Sequence, residues 1–93
     1  MYATIRTYTG SRDFADALVE NESEVKRLIT EIDGFRSYYL LRTADGAVSV
    51  SVFDDQGGAD ESTRVAGDWV RENLSELSVA PPQVSSGEVV LAF

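Results

Sequence analysis

The residues most suited to chemistry lie on one stripe of a predicted helix in the second half of the chain. Ser62, Ala66, Trp69 and Asn73 recur at steps of three and four residues, so they share or border one helical face. The Trp69 ring would form an aromatic wall of a cleft, and the Asn73 amide would donate a hydrogen bond to a substrate carbonyl. We therefore predict Trp69 and Asn73 as catalytic residues and Ser62 and Ala66 as substrate contacts. The same pattern fits a structural role, in which Trp69 is a core residue and Asn73 a polar residue near a helix end.

Two adjacent tyrosines supply the other candidate groups. Tyr38 and Tyr39 follow each other in a predicted strand, so their side chains point to opposite faces of the sheet. A phenol hydroxyl beside a cleft can hold or deprotonate a phenolic substrate. We predict Tyr39 in catalysis and Tyr38 in substrate binding. Aromatic residues also suit strands for packing reasons alone, which leaves a structural role open.

The composition excludes several classes of site. The 93 residues contain no cysteine and no histidine, which rules out disulfides, thiolate nucleophiles, Cys/His zinc sites, a Ser-His-Asp triad and a haem held by histidine. The acidic pairs Asp54-Asp55 and Asp60-Glu61 fit a turn and a helix start better than a metal site. We therefore predict no cofactor and no metal.

The charge balance limits the partners. Lysine and arginine number 8 against 16 acidic residues, a net charge of −8, whereas nucleic-acid binding needs clustered basic residues. No apolar run approaches the roughly 20 residues that span a bilayer, and the first residues lack the apolar core of a signal peptide. We expect a cytoplasmic protein that binds neither nucleic acid nor membrane.

Hydrophobic periodicity predicts one domain, residues 1–93, with six elements. A polar gap at Asn21-Glu22 predicts that the first helix is loosened or bent in its middle. Pro81-Pro82 forbids helix or central strand, so the segment around it is expected to be a loop. In order, the predicted elements are strand 2–9, helix 12–32, strand 35–43, strand 47–53, helix 59–77 and strand 88–93.

This order of elements predicts an α+β fold, a ferredoxin-like βαββαβ sandwich with a four-stranded antiparallel sheet. Right-handed crossovers place both helices on one face of that sheet. The other face is left bare, and its residues depend on the register of the hairpin between the two middle strands.

Two hairpin registers are open. With Asp45-Gly46 as a two-residue type I′ turn, Leu41 lies opposite Val50, and Tyr39, Leu41 and three valines face the helices. We prefer this register because it separates charge better. A three-residue turn with a bulge at Gly46 slips the pairing by one residue and exchanges the partners. In the preferred register the bare face carries Arg36, Tyr38, Leu40, Arg42, Ser49, Ser51 and Phe53.

The bare face predicts an assembly. In either register it holds at least two large apolar side chains, and exposed apolar patches of this kind usually mark interfaces. We therefore predict a homodimer that packs through the helix-free face of the sheet.

Two segments carry a family resemblance, GFRSYYLLRTADGAVSVSVFDD and, after it, GADESTRVAGDWVRENL. They resemble the antibiotic-biosynthesis monooxygenase-like (ABM) domains of the dimeric α+β barrel superfamily, and the resemblance covers nearly the whole chain. It implies a ferredoxin-like protomer, a homodimer whose sheets form a barrel, and a cleft between sheet and helices where some members bind aromatic substrates.

The resemblance also implies an activity. Enzymes of this family include oxygenases that use dioxygen without metal or flavin, because the substrate itself supplies the electrons. The better understood ones carry a Trp on the second helix, an Asn four residues before it, and a Tyr or Arg nearby. Trp69 matches, but Val65 occupies the Asn position, and Asn73 comes four residues after. The haem-degrading relatives need a histidine, which this chain lacks.

Two functions therefore stay open. One is a cofactor-independent monooxygenase acting on a small aromatic or polyketide-like substrate, which the resemblance favours. The other is a non-catalytic homodimeric module that binds a ligand or a protein, which the missing Asn and His favour.

Overall fold

The fold is the predicted ferredoxin-like sandwich. The computed structural model describes all residues from 1 to 93. In chain order the elements are β1 (Tyr2–Thr9), α1 (Phe14–Glu20), α2 (Glu22–Thr30), β2 (Phe35–Thr43), β3 (Gly46–Phe53), α3 (Gln56–Asn73) and β4 (Gln83–Glu88). All strand pairs are antiparallel, in the order β2-β3-β1-β4, and the helices pack on one face of the sheet.

The first predicted helix is two helices, α1 and α2, which meet at Asn21. The Asn21 backbone lies at φ −108° and ψ 27°, and its side-chain amide donates to the Ala17 carbonyl at 2.7 Å. Asparagine competes with the helical backbone in this way because its short amide reaches nearby main-chain groups. The polar gap that predicted a bend therefore marks a break.

Helix α3 begins three residues earlier than predicted because Asp55 caps it. The Asp55 carboxylate accepts a hydrogen bond from the Gly58 N–H at 3.1 Å and so satisfies one of the unpaired donors of the first turn. The helix ends at Asn73, and the buried side chain of Leu74 follows directly. Even this helix, the longest of the three, lacks the apolar length that a membrane span requires.

The β2–β3 hairpin has a register that neither predicted turn gives. Thr43 pairs with Gly46, so the two residues between them form the loop. Leu41 consequently lies opposite Val48 rather than Val50. The predicted type I′ turn is wrong, because it needs positive φ at both central residues and no residue of this hairpin has one.

Gly46 is required by a close approach of strands rather than by the turn. It pairs with Thr9 at the end of β1. A Cβ atom at this position would overlap the Tyr8 carbonyl group and lie 3.2 Å from the Thr9 Cα. Glycine therefore allows three strands to converge at this corner of the sheet.

The two sheet faces are the reverse of those predicted. Ser49, Ser51 and Phe53 on β3 are buried beneath the helices, whereas Tyr39 and Leu41 on β2 are 63% and 50% exposed on the other face. The predicted register was preferred because it separates charge better, and it turned Tyr39, Leu41 and the valines toward the helices. It fails because the helix-facing positions of β3 are mostly small, which leaves room for long side chains from β1 and α3.

The helix-free side of the sheet, called the open face below, carries no charge at its register positions. Arg36 is the extra residue of a bulge in β2 and pairs with Asp54. On a chain with a net charge of −8, a whole sheet face without charge is unusual. Its positions are Ala3, Ile5, Thr7, Ser37, Tyr39, Leu41, Thr43, Val48, Val50, Val52, Gln83, Ser85 and Gly87.

Strand β4 is polar and lies earlier than the apolar segment 88–93 that was predicted for it. It starts directly after Pro81-Pro82 and pairs with β1, where the Ser86 hydroxyl donates to that of Thr4 at 2.9 Å. An edge strand tolerates polar residues because much of it faces solvent. Beyond it, Val90 and Leu91 are 79% and 76% exposed.

Candidate functional site

An apolar cleft lies between the helices α1 and α2 and the strand β2. A cavity of about 430 Å³, called the outer cavity, is lined by Leu18, Val25 and Ile29 from the helices and by Tyr38 and Leu40 from the sheet. Exposed residues of α1 and α2 form its rim. Its walls are predominantly apolar, as in sites that bind small organic molecules.

A second cavity of about 30 Å³, called the inner cavity, adjoins the first and reaches the sheet. Leu18, Val25, Ile29 and Tyr38 line both cavities, so the inner cavity continues the outer one inward. Its remaining lining includes Arg6, Tyr8, Ser49, Ala66 and Trp69. The outer cavity therefore has apolar walls beneath a rim that includes Glu22, Lys26 and Thr30, and Arg6 and Ser49 are polar residues at the inner end.

Arg6 is the main polar residue of the inner end. Its side chain is only 1% exposed and donates from Nη1 to the hydroxyls of Ser62 at 3.0 Å and Thr63 at 3.2 Å, and from Nη2 to that of Ser51 at 2.8 Å. Its Nε has no hydrogen-bond partner. The guanidinium thus bridges the sheet and α3 through hydroxyl groups alone.

Sequence reasoning missed Arg6 because β1 alternates in a misleading way. Ala3 and Ile5 are the apolar residues at the centre of the strand, yet Thr4, Arg6 and Tyr8 are the ones buried beneath the helices. The sequence contained one indirect signal for Arg6. Ser49 and Ser51 carry the only side-chain hydroxyls of β3 and share one face of that strand, so that face is the one that can bind a buried guanidinium.

Two tyrosines stand beside this arginine. Burial raises the pKa of Tyr8 above its usual value of 10.0, while the positive charge of Arg6 and its contact with the phenol oppose the shift. Burial likewise raises the pKa of Tyr38; Arg6 opposes this shift and Tyr8 adds to it. The Ser49 hydroxyl lies near the Tyr38 phenol but has no partner at hydrogen-bond geometry. Both phenols are consequently uncharged at neutral pH.

Trp69 lies where the sequence predicted, on the wall of the cleft. It is 6% exposed, belongs to the larger core cluster and lines the inner cavity. Its indole N–H donates to the Glu24 carboxylate at 2.6 Å, which ties α3 to α2. The indole donor is therefore already used within the protein.

The structure brings some of the other predicted site residues to the cleft and leaves others outside. Ala66 lines the inner cavity, and Ser62 reaches the site through Arg6. The Asn73 amide donates to the Trp69 carbonyl at 2.9 Å, at the end of its own helix. Tyr38 lines both cavities, whereas Tyr39 lies on the open face, away from them. The catalytic roles predicted for Trp69, Asn73 and Tyr39 stay predictions.

Comparison with known proteins identifies structural relatives only. No protein-family description matches the sequence, and no curated protein matches it either. A candidate antibiotic biosynthesis monooxygenase from Deinococcus radiodurans has a similar structure, with a TM-score of 0.73 and 18% identity over 100% of this chain and 96% of that one.

Two further neighbours were solved with small molecules. The monooxygenase from the gene ActVA-Orf6 of Streptomyces coelicolor, in complex with nanaomycin D, has a TM-score of 0.67 and 21% identity over 99% of this chain and 88% of that one. A mutant of MhuD with two manganese protoporphyrin IX molecules per active site has a TM-score of 0.75 and 12% identity over 100% of this chain and 98% of that one. At these identities the likeness establishes the fold, and the chain therefore has the ferredoxin-like fold of the antibiotic biosynthesis monooxygenase proteins.

Proposed function

We propose that this protein binds a small aromatic or polyketide-like molecule in the cleft between the sheet and the helices α1 and α2. The observation that carries the proposal is the pair of adjoining cavities, of about 430 and 30 Å³, with apolar walls outside and polar groups at the inner end. In such sites the apolar walls supply affinity and a few polar groups fix orientation. The two neighbours solved with small molecules support the proposal.

Isothermal titration calorimetry with 1-naphthol, an uncharged two-ring phenol, tests this binding. Val25→Phe places a larger side chain in the wall shared by both cavities and should weaken binding by about tenfold or more. Val90→Phe is the matched control, because Val90 is exposed and lines neither cavity. Lack of saturable binding to the wild-type protein, or equal weakening by both substitutions, contradicts the proposal.

Oxygenation of the bound molecule is the second candidate function, and it is favoured by the place of Trp69 and Tyr38 at the inner end of the cleft. A phenolic substrate would supply all four electrons that reduce dioxygen. One oxygen atom becomes the second carbonyl oxygen of a quinone, and the other leaves as water with two hydrogens from the substrate. No external reductant is needed for this balance.

Substrate-dependent oxygen uptake tests the oxygenase proposal. We expect Trp69→Phe to reduce the rate, since the indole lines the inner cavity. Tyr39 lies on the open face and lines neither cavity, so a rate that Tyr39→Phe leaves unchanged would remove Tyr39 from the predicted catalytic residues. Uptake that Trp69→Phe does not alter refutes the assignment of Trp69. Binding without any oxygen uptake leaves the non-catalytic binding module as the function.

We also propose that the protein is a homodimer that packs through its open face, and that it is cytoplasmic. Tyr39, Leu41 and Ile5 are 63%, 50% and 41% exposed on this face, and the register positions around them carry no charge. Two chains that each carry a charge of −8 repel each other, so a mutual interface requires a surface free of carboxylates. The open face meets that requirement.

Sedimentation equilibrium measures the assembly directly. A homodimer has twice the 10.2 kDa mass of one chain. A mass of one chain at micromolar concentration refutes the dimer and leaves the ligand proposal untouched, because both cavities are lined by residues of a single chain.

A further inference from the structure

We infer that the ligand of the cleft is an acid, and that Arg6 binds its carboxylate at the inner cavity. This inference rests on the proposed ligand-binding function and names the chemical class of the ligand: an aromatic or other largely apolar molecule with one ionised carboxyl group. It also assigns Arg6 and Ser49 as the residues that recognise that group.

Arg6 is a buried charge without an opposite charge in the protein. A guanidinium stays protonated in proteins, and burying a charge is unfavourable unless it is paired and hydrogen-bonded. Its protein partners are the neutral hydroxyls of Ser51, Ser62 and Thr63. By contrast, the exposed arginines that pair with carboxylates on the surface are Arg36, Arg42, Arg64 and Arg71.

Two residues that line the inner cavity also carry a donor without a hydrogen-bond partner. The Arg6 Nε and the Ser49 hydroxyl are both buried and without a hydrogen-bond partner, and both residues line this cavity. Ser49 is only 2% exposed. A carboxylate is an acceptor with two oxygens, so one group satisfies both donors and supplies the missing negative charge.

The shape of the cleft indicates the orientation of the ligand. The inner cavity, about 30 Å³, has room for a small polar group only, whereas the outer cavity of about 430 Å³ accepts an apolar body. Leu18, Val25 and Ile29 form a shared wall through both. The carboxylate therefore enters first, and the apolar body follows against the helices.

The Glu24 carboxylate does not take the place of the ligand. It accepts the Trp69 indole N–H at 2.6 Å and is in no ion pair with Arg6. Trp69 and Arg6 both line the inner cavity, but the Glu24 carboxylate is held by the Trp69 indole N–H, on the side of the helices. The positive charge at the sheet stays available to a bound acid.

Calorimetric titration of the wild-type protein with 2-naphthoate and with 2-naphthamide tests the inference. The two probes share their shape, but the carboxylate carries a negative charge and two acceptor oxygens where the amide is neutral and has one acceptor oxygen and a donating NH2 group. We expect the acid to bind about tenfold more tightly or better, the size of one charge-assisted hydrogen bond. Arg6→Met should abolish the preference, and Arg6→Lys should keep part of it.

Arg42→Met is the matched control. It removes one positive charge from a surface pair with Asp16, outside both cavities, and should leave the ratio of the two affinities unchanged. Circular dichroism and the melting temperature establish that each variant is folded. Equal binding of the two probes by the wild-type protein overturns the inference even where Arg6→Met does not fold, and a folded Arg6→Lys protein that keeps the full preference does the same.

Each outcome has one meaning. Tighter binding of the acid that depends on Arg6 supports the inference. Equal binding of acid and amide by the wild-type protein overturns the acid inference and leaves the proposed binding function standing. Binding of neither probe, nor of 1-naphthol, overturns both. A preference for the acid that survives Arg6→Met in a folded protein assigns recognition elsewhere and also overturns the inference.

Discussion

Substituting Gly46 by alanine tests the register of the sheet, on which the composition of both faces depends. An added Cβ would lie 2.9 Å from the Tyr8 carbonyl carbon and 3.2 Å from the Thr9 Cα, and would overlap the Tyr8 carbonyl oxygen. Carbon atoms in contact normally lie about 3.5–4.0 Å apart. Because these are main-chain atoms of the paired strand, no side chain can rotate away, and β1 and β3 must separate.

The expected cost is large for a chain of this size. Overpacking of this kind destabilises by about 1–3 kcal/mol, and we expect the upper end because backbone must move. For a domain of 93 residues, about 2–3 kcal/mol lowers the melting temperature by roughly 10–20 °C. Urea unfolding followed by circular dichroism measures the loss in free energy of unfolding. The protein concentration is held fixed, because the unfolding of a dimer depends on concentration.

Gly67→Ala is the matched control, since it makes the same chemical change at an open site. Gly67 lies within α3, and the nearest atom to an added Cβ is an Arg71 side-chain nitrogen at 3.5 Å, an ordinary contact. Alanine there should stabilise by about 0.5–1 kcal/mol, because glycine is unfavourable inside a helix. A Gly46→Ala protein as stable as the wild type would refute the strand pairing and the close approach described above.

Three further outcomes follow from particular contacts. The raised pKa values of Tyr8 and Tyr38 mean that the folded protein holds protons which the unfolded chain releases above about pH 10. The contribution of these tyrosines to urea stability should be constant below that pH and fall above it, and the fall should be smaller in Tyr38→Phe; an equal fall in both proteins contradicts this. Asp55→Ala removes the N-terminal cap of α3 and should lower the free energy of urea unfolding by about 1 kcal/mol. Asp54→Ala is the control: it removes only an exposed ion pair and should cost less, so equal costs argue against the cap. Leu41→Glu places a charge on the open face and should shift the sedimentation mass from two chains toward one, and an unchanged mass would exclude that face as the interface.

The fold could be predicted from the sequence because it depends on the order of elements and on periodicity. Alternation in β1 and β3 and the helical spacing of α3 are local signals that survive folding. The C-terminal part of the chain gave a misleading signal. The polar strand β4 pairs with β1, whereas the apolar residues after it, where the last strand was predicted, are exposed. Hydrophobicity identifies a strand only where that strand packs on a core, and β4 lies at the edge of the sheet.

The candidate site could be predicted only in part. Trp69 was found because its position follows from helical spacing, a property of one element. Arg6 was not found, because its partners Ser51 and Ser62 are 45 and 56 residues away and meet it only when β1, β3 and α3 assemble. The assignment of the sheet faces failed for a related reason. The small residues of β3 face the helices because long side chains from β1 and α3 fill the space there, and the sequence of β3 alone does not contain that information.

The absence of charge from the open face has a thermodynamic consequence for the proposed homodimer. Two chains of charge −8 repel each other more strongly at low ionic strength, so association should weaken there. Sulfate should strengthen it, because sulfate increases the effective burial of apolar surface. Burial of valine, leucine and isoleucine side chains gives association a negative heat-capacity change, so the dimer should loosen on cooling toward 0 °C. Chilled, dilute samples would then be the ones richest in single chains, with the cleft and its buried arginine intact in each.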